Sequence, residues 1–146
     1  MPQSLTFLLI HIIFSTKDRT PNIRNPRDLH AYLATVARSL GCECFRVGGT
    51  ADHVHLAIGL SRTITIADLI SELKTSSSQW IKTQGESNFA WQRGYGAFTL
   101  GKSDLDALVR YIENQEEHHR KIDFRDELRA ILKRYGVEHD EQYLWD

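Results

Sequence analysis

Two histidines one residue apart, and a tyrosine four residues ahead of a glutamine, are the side chains in this sequence best placed to do chemistry. The first group is Asp52-His53-Val54-His55-Leu56. Side chains alternate across a β-strand, so on a strand His53 and His55 project from one face. Val54, Leu56 and Ile58 then point the other way, toward a core, and Ala57 leaves room beside the imidazoles. Two imidazoles side by side can reach one divalent ion, and imidazole suits transition metals. A third, oxygen ligand would leave coordination positions open for a phosphate. The second group is Tyr111-Ile112-Glu113-Asn114-Gln115. Positions i and i+4 share a helix face, so Tyr111 and Gln115 stand one turn apart, and His118 and His119 extend that face by another turn.

Each group alone has an ordinary structural reading, as exposed strand histidines or as a tyrosine at the margin of an apolar stripe. Together they fit phosphoryl transfer. A phenol with a pKa of about 10 is a poor nucleophile unaided. A metal on the phosphate oxygens stabilises the charge that develops during in-line attack. A covalent phosphotyrosine keeps the energy of the cleaved bond, so a later DNA hydroxyl can reseal it without ATP. Gln115 can offer a neutral amide oxygen to the ion alongside His53 and His55.

The elements that must position these groups follow from periodicity and breakers. Residues 5–15 form an apolar run read as a buried first strand. Pro21 and Pro26 break the chain, and Asn25-Pro26 looks like an N-cap followed by Pro at N1. Leu29, Leu33, Val36 and Leu40 give helical spacing, with Gly41 as the stop. Residues 42–47 alternate as a strand, Gly48-Gly49 supplies a turn, and residues 53–60 are the partner strand. Ile66, Leu69, Ile70, Leu73 and Ile81 predict a second helix to about Lys82. A Gly- and aromatic-rich loop over 88–96 leads to a short strand over 97–100. Ser103 and Asp106 resemble a capping box opening the third helix, with Leu105, Leu108 and Ile112 as its stripe. A fourth helix over Phe124–Tyr135 ends at Gly136. The order β-α-β-β-α-β, then α, predicts an α+β, ferredoxin-like or RRM-like antiparallel sheet. Its helices lie on one face, with an additional C-terminal helix; the other face is expected to be open.

A chain of 146 residues fits one domain spanning 1–146, long enough for a real core. The net charge of −1 argues for no partner by itself, because binding fields are local. Cys42 and Cys44 do not make a secreted disulfide framework, so a cytoplasmic, reducing setting is expected. The first apolar run lacks preceding basic residues and a cleavage site, and is too short to span a membrane.

The same residues resemble a known family, the single-tyrosine HUH transposases of small bacterial insertion sequences, of the insertion sequence 200 type. The likeness runs along almost the whole chain. It includes His11-Ile12-Ile13-Phe14-Ser15-Thr16-Lys17, the segment around His53 and His55, and Leu73-Lys74-Thr75-Ser76-Ser77-Ser78. It continues through Trp91-Gln92-Arg93-Gly94-Tyr95-Gly96-Ala97-Phe98, the segment from Tyr111 to His119, and Tyr143-Leu144-Trp145. The resemblance implies that His53 and His55 are the HUH pair, Tyr111 the nucleophile and Gln115 the third metal ligand. It further implies Mg²⁺ or Mn²⁺, single-stranded DNA with hairpins, 5′-phosphotyrosine intermediates and a homodimer. In many members the tyrosine helix of one subunit completes the site of the other.

Lys17, Arg19, Lys74 and Arg93 are candidate phosphate contacts. Trp91 and Tyr95 are candidates to stack on unpaired bases or to pack the loop on the core. His118 and His119 are expected to orient the site or hold the helix. Two other readings stand beside the transposase: a non-catalytic RRM-like single-stranded nucleic-acid-binding module, and a domesticated nickase that cuts strands without moving an element. The first would use aromatics on the central strands, where this chain has histidines.

Overall fold

A computed structural model describes residues 2–146. Its four-stranded antiparallel sheet has the order β2-β3-β1-β4, built from β1 (Leu9–Ser15), β2 (Glu43–Gly49), β3 (His53–Gly59) and β4 (Gly96–Thr99). The connection from β1 to β2 runs through α1 (Pro26–Ser39), and that from β3 to β4 through α2 (Ile66–Thr83). Pro26 occupies the first turn of α1, and Gly41 follows its end with a φ of 81°. Thr65 caps α2 by accepting the Asp68 backbone N–H. This is the split βαβ plan read from the sequence, with β3 lying between β1 and β2.

Alternation sends Ile10, Ile12, Phe14, Val54, Leu56 and Ile58 to one face of the sheet. There they pack on Leu29, Leu33, Leu69 and Leu73 of α1 and α2. The opposite face carries His11, Ile13, His53, His55 and Ala57, brought together by the pairing Ile13↔His55 and His11↔Ala57.

That second face is not open as expected. The chain continues through α3 (Leu105–Glu113), α4 (Gln115–His118), α5 (Phe124–Tyr135) and α6 (Glu141–Leu144). Phe124, Leu128 and Leu132 of α5 close with Ile13 and Phe98 into a second apolar cluster. Apolar residues on α3 and α5 would otherwise remain wet, so they cover the histidine face. Gly48 lets α3 come close, since a Cβ there would lie 2.5 Å from the Ile112 carbonyl oxygen.

Other boundaries differ locally. The first strand starts at Leu9, which pairs with Gly59 at the end of β3; Leu5 has no ladder beside it and is 85% exposed. Ser103 lies in a short 3₁₀ turn, Lys102–Asp104, and no side-chain cap bond forms at the start of α3 or at Asn25. The third helix does not run unbroken to His119, because Asn114 leaves helical geometry (φ −96°, ψ 18°). Cys42 precedes β2, and both cysteines are free. Among the described residues no helix is long and apolar enough to cross a membrane.

Candidate active site

Strand β3 delivers His53 and His55 to the covered face, where both are 0% exposed. Each imidazole is aimed by a partner on its Nδ1 side. The Asp52 carboxylate accepts from His53 Nδ1 at 2.7 Å, and Thr50 donates its hydroxyl to the same carboxylate oxygen at 3.0 Å. His55 Nδ1 meets His11 Nε2 at 2.7 Å, with the two rings stacked 5.0 Å apart. Both Nε2 atoms therefore point inward, as metal-ligating histidines held by an outer partner do. Burial, then the neighbouring His55, lowers the His11 pKa to about 3. Burial likewise lowers that of His55 to about 4, so both rings are held neutral.

Gln115 lies across from His53, its Oε1 3.0 Å from His53 Nε2. Its amide nitrogen donates to Glu127 at 3.2 Å and faces the Tyr111 carbonyl oxygen at 3.4 Å, which orients the oxygen toward the histidines. With His53 Nδ1–H given to Asp52, its Nε2 and the Gln115 oxygen are two acceptors facing each other. A cation between them would resolve that meeting.

Glu127, on α5, sits at the centre and is 2% exposed. Its Oε1 accepts from His55 Nε2 at 2.9 Å and His119 Nε2 at 3.1 Å, and lies 3.6 Å from His53 Nε2. Its Oε2 accepts the Tyr111 hydroxyl, while His118 Nε2 stands 3.3 Å away. Burial pushes the Glu127 pKa up, but hydrogen bonds from His119 and His55 and the field of His55 outweigh it. The carboxyl is held well below the usual carboxylate range. Burial, and then the Glu127 charge, raises the Tyr111 pKa above that of a free phenol.

Ligand atoms of His53, His55, His119 and Glu127 all lie within 4.8 Å of one another, a spacing that fits one divalent ion. The arrangement can hold a cation beside a half-buried phenol hydroxyl. A cleft of about 440 Å³ opens next to Tyr111, walled by Leu108, Ile122 and Ile131 and rimmed by Asp104 and Arg134.

All four residues read as catalytic, Tyr111, His53, His55 and Gln115, therefore meet in one place. The candidate DNA contacts do not join them. Lys74, half-buried and with its pKa lowered to about 8 by burial, gives its ammonium to the carbonyls of Gln92, Arg93 and Gly94. Arg19 donates to the Trp145 carbonyl at 3.0 Å and lies over that indole. Lys17 and Arg93 are exposed. Trp91 is buried and donates to Ser77, whereas Tyr95 is 44% exposed. The sequence reading missed Glu127 and the backing roles of His11 and Asp52. The signal for Glu127 was a carboxylate at helical spacing from Phe124 and Ile131, on a face that is otherwise apolar.

Comparison with known proteins bears on this geometry. Residues 4–115 match a family model described as "Transposase IS200 like", a span that holds His53, His55, Tyr111 and Gln115 and ends before His119 and Glu127. Among curated proteins, nothing matches. A solved structure from Deinococcus radiodurans R1, described as "a putative transposase", is similar at 24% identity and a TM-score of 0.63. The alignment covers 79% of this chain and 98% of that one. A REP-associated tyrosine transposase bound to a REP hairpin is similar at 16% identity and a TM-score of 0.60, covering 82% of this chain and 74% of that one. These two likenesses establish the fold, and the match over residues 4–115 shows that the chain belongs to the IS200-like transposase family.

Proposed function

We propose that this protein cleaves and rejoins single-stranded DNA at the hairpin-marked ends of an insertion sequence. Tyr111 is the nucleophile, and His53, His55 and Gln115 are the ligands of a Mg²⁺ or Mn²⁺ ion. When bound there, the ion supplies Lewis-acid stabilisation of the phosphate oxygens. The Tyr111 oxygen bonds to phosphorus as its phenol proton passes to water, the bond from phosphorus to the 3′ oxygen breaks, and the leaving oxygen takes a proton back from water, so no net proton is gained or lost. A 5′-phosphotyrosine and a free 3′-hydroxyl result. A DNA 3′-hydroxyl later attacks the phosphotyrosine and returns Tyr111 as a phenol. Gln115 and Glu127 orient the parts, and the half-buried setting limits competing attack by water.

One observation carries the reading. The Tyr111 hydroxyl bonds the same carboxylate that accepts from His55, so nucleophile and histidine pair adjoin within one chain. The solved relative bound to a hairpin supports DNA hairpins as the partner class. The reading includes a homodimer in which each chain assembles its own site. It also includes action in the cytoplasm, a reducing setting suited to two free thiols.

The test mixes the protein with end-labelled single-stranded DNA carrying hairpins from its own genomic flanks, with Mg²⁺ or Mn²⁺. A denaturation-resistant adduct is expected, dependent on metal and absent in Tyr111→Phe. An adduct that persists in Tyr111→Phe would remove the nucleophile from this assignment. Tight binding without any adduct would favour a non-catalytic module.

A further inference from the structure

We infer that Glu127, with His119 beside it, completes the cation site of this chain, so that the protein holds its divalent ion before any DNA arrives. The inference rests on the proposed function only for the location of the ion at His53 and His55.

A ligand set of His53, His55 and Gln115 carries no formal charge. Cation affinity rises with the number of charged ligands and with the rigidity of the site, so a neutral set depends on substrate phosphate to complete it. Glu127 changes that balance. Its side chain is buried, and a buried carboxylate is costly unless paired or bound to a metal. Its Oε1 faces three imidazole nitrogens, those of His55, His119 and His53, at 2.9, 3.1 and 3.6 Å. His119 is itself only slightly exposed, and its ring packs 4.3 Å from that of His53. Three imidazoles and one carboxylate form a set that favours Mn²⁺ over Mg²⁺, which prefers oxygen ligands and retains its waters. Both added residues lie beyond the span matched to the family, and Glu127 arrives on the helix that closes the second sheet face.

The same side chain also reaches the nucleophile. Oε1 faces the histidines while Oε2 accepts the Tyr111 hydroxyl, so Glu127 ties the phenol to the cation site without Tyr111 being a ligand. Glu127 is thus a ligand that is also a positioning residue for Tyr111.

The experiment uses the full chain without DNA. Mn²⁺ is titrated in and the free ion followed by its EPR signal, with Mg²⁺ added afterwards as competitor. Wild type is expected to take up one equivalent and to need a large excess of Mg²⁺ to release it. Glu127→Gln keeps the volume of the side chain and is expected to bind at least about tenfold more weakly. His119→Asn, expected to weaken binding in the same direction, keeps the test open if Glu127→Gln fails to fold by circular dichroism. Wild type that binds no Mn²⁺ without DNA, yet forms a Mn²⁺-dependent adduct, would overturn the inference and leave the proposed function standing. Undiminished binding in folded Glu127→Gln and His119→Asn would overturn it too. Glu127-dependent binding with no adduct on any flanking DNA would instead sink the proposed function and keep the cation site.

Discussion

At the scale of single residues, the site depends on groups that touch no substrate. His11 has no role in the reaction proposed here, yet it meets the Nδ1 of His55 and stacks on its ring. Replacing it with Phe keeps the bulk and removes the hydrogen bond. Outer partners of metal-ligating histidines are worth roughly 10–100-fold in affinity. His11→Phe is therefore expected to weaken Mn²⁺ binding within that range while the fold persists, as read by the same EPR titration; unchanged affinity would show that His55 needs no such partner. Burial also makes a prediction about acid. The folded-state values of His11 and His55, about 3 and about 4, lie below the ordinary 6.5. Below that ordinary value the unfolded chain takes up protons that the native rings refuse. Stability is thus full above about pH 6.5 and falls as the pH drops toward the folded values. Glu127 acts in the same sense, since its depressed pKa contributes stability that is lost in acid. Urea midpoints of the metal-free protein are expected to fall steadily between about pH 7 and about pH 4. A flat profile would contradict the buried, neutral state of these rings.

At the scale of elements, the decisive contact lies between α3 and β2. Helix α3 can set Tyr111 beside the histidines only because Gly48 has no side chain. A Cβ there would lie 2.5 Å from the Ile112 carbonyl oxygen and 2.7 Å from its Cγ2. Ile112 is buried and adjoins Tyr111, so the helix cannot yield locally. Gly48→Ala is expected to push α3 off the sheet, with a cost of about 1–3 kcal/mol for overpacking. Adduct formation should fall further than stability does, because the proposed nucleophile itself moves; thermal melts and adduct yield measured together check this. Helix α5 makes a second case. Asp123 caps it by accepting the Asp126 backbone N–H, one residue before Glu127. Asp123→Ala is expected to cost about 1 kcal/mol, seen as a lower urea midpoint.

At the scale of the whole molecule, the question is whether one chain suffices. Tyr111, Gln115, His53, His55 and Glu127 of a single chain are in mutual contact. Mixing Tyr111→Phe with a His53→Ala/His55→Ala variant is accordingly expected to restore no adduct. Recovery of activity in the mixture would mean that the tyrosine helix serves a neighbouring subunit. The closed second face also bears on the alternative reading as an RRM-like module. That reading needs an exposed sheet surface for stacking bases, whereas the histidine face lies beneath α3 and α5. The C-terminal residues tie into the same body. Trp145 lies beneath the guanidinium groups of Arg19, Arg125 and Arg129, and the Asp146 carbonyl accepts the Gly94 N–H.

Local pattern determined much of this protein. Strand alternation aligned His53 with His55, the four-residue spacing kept Gln115 beside Tyr111 although the helix breaks at Asn114 between them, and the element order read as a split βαβ sheet; these depend mainly on neighbours along the chain, which the sequence displays. Tertiary structure decided the rest. That α5 would fold back over the histidines, that Glu127 rather than a residue nearer Tyr111 would stand among them, and that Lys74 would spend its charge on loop carbonyls are long-range events. Each turns on which apolar surfaces remain uncovered once the sheet has formed, a property of the assembled fold that has no period in the sequence.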